Sequence, residues 1–222
     1  SKVAINGDVR DLHWLTGLNA PKGMTLIGDL LYVTDINQLV IIDITNQNKT
    51  IIPVANAVFL GDITHDASGV VYVSDMLTDT IYSFSNNTVA VWLHDKKLKS
   101  PNGLHCGDGF LYVGCFGRVA DESSAMIDGD LLRIQLETKQ VTIVASRLGN
   151  INGVERYGDF FILTDHGAGT LILMDKMGHV QEMRTIGPGA ADLCVLPEDW
   201  ELLVVPMMQD NLLVGFTVKY SL

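Results

Sequence analysis

Apolar residues occur along the chain in short runs that Gly and Asp residues separate. The runs at 31–35 (LYVTD) and 71–75 (VYVSD) are typical, and Gly28-Asp29 lies just before the first of them. Short runs rich in Val, Ile, Leu and Tyr between turn signals predict β-strands. Nowhere does the apolar spacing suit a helix of ordinary length. The pattern therefore predicts an all-β protein.

The same pattern recurs along the chain. Five segments align on one polar position each: PKGM at 21–24, LGDI at 60–63, PNGL at 101–104, INGV at 151–154 and ADLC at 191–194. The aligned positions 22, 62, 102, 152 and 192 are 40, 40, 50 and 40 residues apart. We interpret the polar stretch 117–129, where the extra ten residues lie, as an inserted loop. Four strands in about 40 residues are typical of a β-propeller blade, whereas a Greek-key sandwich needs no even period.

The length bears on the number of blades. Six blades and the insertion would need about 250 residues, and the chain has 222. We expect one propeller domain over 1–222, a six-bladed β-propeller that lacks the inner part of its first blade. In this interpretation 1–17 are outer strands of that blade, and the successive blades are 18–57, 58–97, 98–148, 149–187 and 188–222. The alternative is a five-bladed propeller in which 9–15 is itself the closing strand.

Charge and hydropathy limit the partners. Lys and Arg total 15 and Asp and Glu total 26, a net charge of −11, which argues against nucleic acid because a binder needs clustered cations. The longest apolar run, Leu202–Met208, is far shorter than the ~20 residues of a membrane span. We expect a small-molecule substrate or ligand, no membrane partner, and a monomer or weak oligomer. We expect a soluble protein, and the sequence does not determine its cellular compartment. A periplasmic or secreted location after removal of a targeting segment is one option.

The aligned polar positions carry the candidate chemistry. In a propeller the innermost strand of each blade lines the central channel, so these residues are predicted to form a ring: Lys22, Asp62, Asn102, Asn152 and Asp192. Carboxylate and amide oxygens are ligands for a hard cation such as Ca²⁺. The alternative is that Lys22 pairs with Asp62 or Asp192 and closes the channel without a metal ion. The glycines beside the ring suit a place where backbones crowd.

Through SPNGL at 100–104 and LGDI at 60–63, the chain resembles the superfamily of gluconolactonases, regucalcin (the senescence marker protein) and luciferin-regenerating enzyme. The resemblance covers essentially the whole chain, and paraoxonases are more distant. It implies a six-bladed propeller with Ca²⁺ or Zn²⁺ on its axis that hydrolyses lactones or esters. The family's metal is held by a Glu from the first of its six blades, an Asn followed by Gly, and an Asp of the next inner strand. An Asn-Asp pair lies nearby.

The resemblance assigns roles to individual residues. Asn102 matches the metal-binding Asn, and Asp62 matches the Asp of the Asn-Asp pair, whose Asn is Gly61 here. Asn152 stands where the family has a metal-binding Asp proposed as general base, and the Glu has no counterpart. An amide can ligate through its oxygen but cannot take a proton from water. Asp62 and Asp192 are therefore the ring carboxylates left to act as base.

Two hypotheses of different classes follow. The first is a metal-dependent hydrolase of lactones or related esters, with a divalent cation held by Asn102, Asn152, Asp62 and Asp192 and with Lys22 beside the substrate. The second is a non-catalytic propeller with a degenerate metal site that binds a small molecule or a protein. The resemblance favours the first, whereas the missing Glu, Asn152 and Lys22 favour the second.

Other polar positions have structural interpretations. Asp35, Asp75 and Asp165 each end a second strand, which predicts caps that accept backbone N–H groups. His65, His105 and His166 are interpreted as hydrogen-bonded turn or core residues, with a base or ligand as the alternative. The 117–129 loop is interpreted as a solvated loop, with a substrate lid as the alternative.

Overall fold

The described part of this computed structural model consists of residues 1–119, 126–196 and 202–217. These residues form β-strands joined by turns, with one short 3₁₀ helix at Lys96–Leu98. An N-terminal hairpin of β1 (Lys2–Val3) and β2 (Val9–Asp11) precedes five larger sheets. Within the described ranges no helix is long and apolar enough to span a membrane.

The five sheets are successive blades, numbered here in chain order. The first contains β3 (Pro21–Ile27), β4 (Leu30–Asp35), β5 (Gln38–Asp43) and β6 (Lys49–Pro53). The second contains β7 (Leu60–His65), β8 (Val71–Asp75), β9 (Thr80–Ser85) and β10 (Thr88–His94). The third contains β11 (Pro101–Gly107) and β12 (Phe110–Cys115), a small hairpin of β13 (Arg118–Val119) and β14 (Met126–Ile127), then β15 (Gly129–Gln135) and β16 (Val141–Gly149).

The last two blades differ in strand number. The fourth contains β17 (Ile151–Tyr157), β18 (Phe160–Asp165), β19 (Thr170–Asp175) and β20 (Val180–Thr185). The fifth has three described strands: β21 (Cys194–Val195), β22 (Leu202–Met207) and β23 (Leu212–Thr217). Strands within each blade are antiparallel and pair in chain order.

Tight turns join the first two strands of most blades, as the Gly and Asp signals predict. The turn between β3 and β4 passes through Gly28, whose φ is +57°, and the turn between β17 and β18 passes through Gly158, whose φ is +58°. Glycine adopts this left-handed region without the steric cost that other residues incur. The turn chemistry thus sets where each inner strand ends and the second strand begins.

The apolar cores lie between neighbouring blades. Tyr32 and Leu39 of the first blade pack with Val73 and Phe84 of the second, and three more clusters join the later blades in the same way. The N-terminal segment contributes Trp14 to a smaller cluster on the first blade. Because each sheet buries a face against its neighbour, the blades stack around an axis.

The all-β propeller is confirmed, and the described residues build the five-bladed alternative. Residues 1–17 contribute the β1–β2 hairpin, whose strands pair with each other. Among the described strands β2 does not join the sheet of β21, β22 and β23, so the expectation that 9–15 is the closing strand of a five-bladed ring was wrong. The sixth blade that the resemblance favours is not formed by the described residues.

A buried hydroxyl links the inner strands of successive blades. Ser74 accepts a hydrogen bond from the backbone N–H of Asp62 at 2.9 Å and donates one to the carbonyl of Asn102 at 2.8 Å. Thr34 and Thr164 occupy the same position in their blades and make the equivalent bonds. In the third blade this position is Gly114, where a side chain would collide with Ile151. The hydroxyls fix the spacing of the strands that carry the candidate site.

Candidate functional site

The five predicted ring residues come together at the axis. They line one cavity of about 330 Å³ although they belong to five different blades: Lys22, Asp62, Asn102, Asn152 and Asp192. The pairing register of β3, β7, β11 and β17 shifts close to the ring residue. Such bulges bend a strand and re-aim its side chains, which here turns a polar position toward the channel.

The glycines beside the ring are explained by close packing. A Cβ on Gly61 would lie 2.7 Å from Oδ1 of Asn102, and a Cβ on Gly103 would lie 2.6 Å from the carbonyl oxygen of Asn152. Each glycine therefore admits the ring residue of the next blade. The predicted crowding of backbones is confirmed.

Asp62 is a buried carboxyl group tied to two blades. It is 6% exposed; its Oδ1 accepts the N–H of Ile63 at 2.7 Å and its Oδ2 accepts the N–H of Leu104 at 2.7 Å. Asp192 is partly buried, and its Oδ1 accepts the N–H of Leu193 at 2.8 Å. These bonds hold both carboxyl groups in place before any ligand binds.

The two carboxyl groups also interact with each other. Burial and then the charge of Asp192 raise the pKa of Asp62 well above its ordinary value, and a hydrogen bond joins the two side chains. Burial raises the pKa of Asp192 to about 7, with a further contribution from the charge of Glu155. Two like charges in a site of low polarity favour retention of one proton by the pair.

Lys22 lies near the pair but is oriented toward an aromatic ring. Its Nζ is 5.5 Å from the centroid of Phe59, a cation–π distance. Among the ion pairs of the described residues, none joins Lys22 to Asp62 or Asp192. The geometry therefore does not favour the alternative in which Lys22 closes the channel by a salt bridge.

The donor set for a cation is made of oxygen atoms. Within the described ranges no three His, Cys, Asp or Glu side chains cluster closely enough to hold a metal ion. A cation at the axis would need the amide oxygens of Asn102 and Asn152 together with the carboxyl pair. Ca²⁺ accepts such mixed oxygen ligands, and a cation would stabilise the ionised form of the two carboxyl groups, whose pKa values are raised chiefly by burial. In donor chemistry the residues fit a hard cation.

We use "floor" for the five polar ring residues in the lining of the cavity. Much of the remaining lining is apolar, and sequence reasoning did not identify it. We use "collar" for Phe59, Met76, Phe116, His166 and Met208, all of which line the cavity. Four of them directly follow the second strand of their blades, at positions 76, 116, 166 and 208. This regular spacing was a signal available in the sequence. The cavity thus has a polar floor and a mostly apolar wall.

The three capping aspartates behave as predicted. Asp35 accepts the N–H groups of Asn19 and Ala20 at 3.0 and 2.6 Å, and Asp75 accepts that of Val58 at 2.8 Å. Asp165 makes the equivalent bond to the N–H of residue 150. They anchor the segments that lead into the inner strands and so position the ring indirectly.

The histidines are hydrogen-bonded, as interpreted. His65 contacts the hydroxyl of Thr25 at 2.9 Å, and Nδ1 of His105 lies 3.0 Å from Glu155. His166 places Nδ1 3.1 Å from the carbonyl oxygen of Ala190, and it is the one of the three that lines the axial cavity.

A second cavity of about 310 Å³ adjoins the ring and shares Lys22, Asp62 and Asp192 with the first. Glu155 and His105 line it. Glu155 was not identified from the sequence, although it lies three residues after Asn152, as His105 lies three after Asn102. Part of the predicted lid, residues 120–125, lies outside the described residues.

Comparisons with known proteins follow the fold. No protein-family model matches the sequence, and no curated protein matches it. The chain is similar to a chain in a solved nidogen/laminin complex, with 15% identity over 89% of this chain and 76% of that chain and a TM-score of 0.75. It is also similar to a luciferin-regenerating enzyme, with 13% identity over 93% of this chain and 79% of that chain and a TM-score of 0.67. A virginiamycin B lyase from Staphylococcus aureus is similar with 12% identity over 91% of this chain and 85% of that chain and a TM-score of 0.58. At these identities the likeness shows that the chain has the β-propeller fold of these proteins.

Proposed function

We propose that the protein is a gluconolactonase- or regucalcin-like propeller that hydrolyses lactones or related esters with the help of one divalent cation, Ca²⁺ or Zn²⁺. The observation that carries the proposal is the convergence of two amide side chains and a carboxyl pair on the floor of one apolar-walled cavity. Cavities of this kind are the usual sites of small-molecule binding.

The ring residues have distinct roles in this proposal. Asn102, Asn152, Asp62 and Asp192 would hold the ion through oxygen atoms. When bound there, a divalent cation supplies Lewis-acid polarisation of a carbonyl and lowers the pKa of a bound water. Burial raises the pKa of Asp192 to about 7 in the cation-free protein, and Asp62 and Asp192 are the ring carboxylates proposed to accept a proton. Lys22 places a positive charge on the floor, where it can attract a developing oxyanion.

Two observations support a catalytic interpretation. The raised pKa of a buried carboxyl pair costs stability, and such perturbed groups concentrate at functional sites. Two of the proteins that share the fold are named as enzymes, the luciferin-regenerating enzyme and the lyase.

The second candidate is a non-catalytic propeller that binds a small molecule or a protein and has a degenerate metal site. Its support is Asn152, whose amide cannot act as a base, and the fold shared with a chain of the nidogen/laminin complex. In this case the cavity would bind a ligand without turnover.

The wider setting is also proposed. We propose that the chain acts on a small molecule, not on nucleic acid, and that it is a monomer or weak oligomer in a periplasmic or secreted location. A net charge of −11 supports the exclusion of nucleic acid. Light scattering at two protein concentrations tests the oligomeric state.

The test of catalysis is hydrolysis of a panel of lactones and esters by metal-free protein with and without added Ca²⁺ or Zn²⁺. We expect turnover that depends on the cation and that Asn102→Ala lowers by at least about 100-fold. Asn48→Ala, a change at an exposed residue, is the matched control and should leave turnover unchanged. Ligand binding without turnover under any cation would favour the second candidate.

A further inference from the structure

The collar gives the axial cavity a definite chemical preference. We infer that this cavity takes small carbonyl compounds that carry an apolar, ring-sized group, in preference to polyhydroxylated lactones. The inference rests on the proposed function because it names the substrate class of the same cavity.

The collar is built from ring and thioether side chains. The rings of Phe116 and His166 lie with centroids 5.9 Å apart and planes at 47°, and Met76 and Met208 complete the wall. Methionine side chains adapt to irregular apolar surfaces and contact aromatic rings favourably. A flat apolar group is therefore matched on several sides.

Hydrogen-bonding capacity is concentrated on the floor. Of the five collar side chains, only His166 carries nitrogen atoms; its Nδ1 lies 3.1 Å from the carbonyl oxygen of Ala190, which leaves Nε2 as the other collar nitrogen. A ligand hydroxyl at the level of the collar would lose water without gaining enough partners, which is unfavourable. A single carbonyl group, by contrast, can reach the amides of Asn102 and Asn152 on the floor.

The size of the cavity is consistent with a compact ligand. About 330 Å³ is at the lower end of the range for small-molecule pockets. A ligand with one ring and one carbonyl group would place the ring against the collar and the carbonyl at the floor. The Nζ atom of Lys22, which lines the same cavity, lies 5.5 Å from the ring centroid of Phe59.

The experiment measures binding of two δ-lactams, which resist hydrolysis, so that affinity is separated from turnover. One lactam carries a phenyl group and the other carries hydroxyl groups at every free carbon. Titration calorimetry on the full chain should show that the phenyl lactam binds at least about tenfold more tightly. Equal or tighter binding of the polyhydroxylated lactam would overturn the inference.

Two methionine variants provide the matched pair. Met208 lines the cavity and is 52% exposed, whereas Met183 lies on outer strand β20 and is 60% exposed. Met208→Ala should weaken binding of the phenyl lactam by about three- to tenfold, and Met183→Ala should not change it. Equal affinities of the two variants would also overturn the inference.

The outcome is independent of the proposed catalysis. Cation binding and lactone turnover are measured separately on the same protein. Selective binding of the phenyl lactam without turnover would leave the ligand class standing and remove the hydrolase function. Turnover of polyhydroxylated lactones with no preference for the phenyl lactam would support the hydrolase function and overturn the inferred ligand class.

Discussion

The carboxyl pair on the axis should make the protein less stable as the pH rises. Burial raises the pKa of Asp192 from an ordinary 3.8 to about 7, and that of Asp62 is raised as well. Between about pH 4 and pH 7 the folded protein therefore binds more protons than the unfolded chain. Stability should fall across this window, and it should continue to fall above pH 7 for as long as Asp62 keeps its proton in the folded state.

The magnitude follows from the pKa values. A rise from 3.8 to about 7 corresponds to about 4 kcal/mol if the unfolded chain has the ordinary pKa. Because Asp192 is only partly buried, we expect this group alone to contribute a loss of about 2 to 4 kcal/mol between pH 4 and pH 8. Asp192→Asn removes one charge and offers Asp62 an N–H donor, so the variant should be more stable than the wild type by about 2 kcal/mol at pH 8.

The assay is urea unfolding followed by tryptophan fluorescence at pH 5, 6, 7 and 8, with a chelator present. The difference between wild type and variant cancels the titration of the histidines. Asp159→Asn is the control. This exposed carboxyl group is paired with Lys176, which lowers its pKa, so its removal should not reduce the fall in the free energy of unfolding with rising pH. If Asp192→Asn has the same pH dependence as the wild type, the shared-proton pair is refuted.

Two further variants test the surroundings of the pair. Ser74→Ala should lower the free energy of unfolding by about 2 to 3 kcal/mol, because the hydroxyl is fully buried and bonds the backbones of Asp62 and Asn102. The control Ser85→Ala, at a half-exposed position, should lower it by less than about 0.5 kcal/mol in the same urea experiment. Equal losses in the two variants would contradict the role of Ser74 in linking the two strands. Lys22→Ala should tighten divalent-cation binding by about three- to tenfold, because a positive charge on the floor opposes an incoming cation; unchanged affinity in calorimetry would show that Lys22 does not compete.

The blade repeat and the ring were predictable because each depends on local sequence. A turn and an alternating apolar strand recur in the units, and equivalent positions of a circular repeat must converge. The convergence of Lys22 and Asn102 on one cavity could therefore be predicted without knowing the distance between them. The caps formed by Asp35 and Asp75 follow from the same local chemistry.

Lys22, Asn102 and Asn152 are such equivalent positions. In the second blade, by contrast, the register makes Gly61 their equivalent and places Asp62 one residue further along its strand. The predicted alignment was therefore wrong there by one residue.

The number of blades and the contact between the two carboxyl groups were harder to predict from the sequence. Asp62 and Asp192 are 130 residues apart in sequence and belong to the second and fifth blades. Whether they touch depends on ring diameter and closure, which no local pattern encodes. For the same reason sequence reasoning left open a salt bridge between Lys22 and the carboxylates, whereas the structure places its ammonium over Phe59.

The most direct test of the central claim is titration calorimetry of metal-free protein with Ca²⁺ and with Zn²⁺. The claim is that Asn102, Asn152 and the carboxyl pair hold one divalent cation on the propeller axis. It predicts one site for at least one of the two ions, lost in Asn102→Ala and retained in Asn48→Ala. Absence of binding by both ions, or binding that Asn102→Ala leaves unchanged, would contradict it.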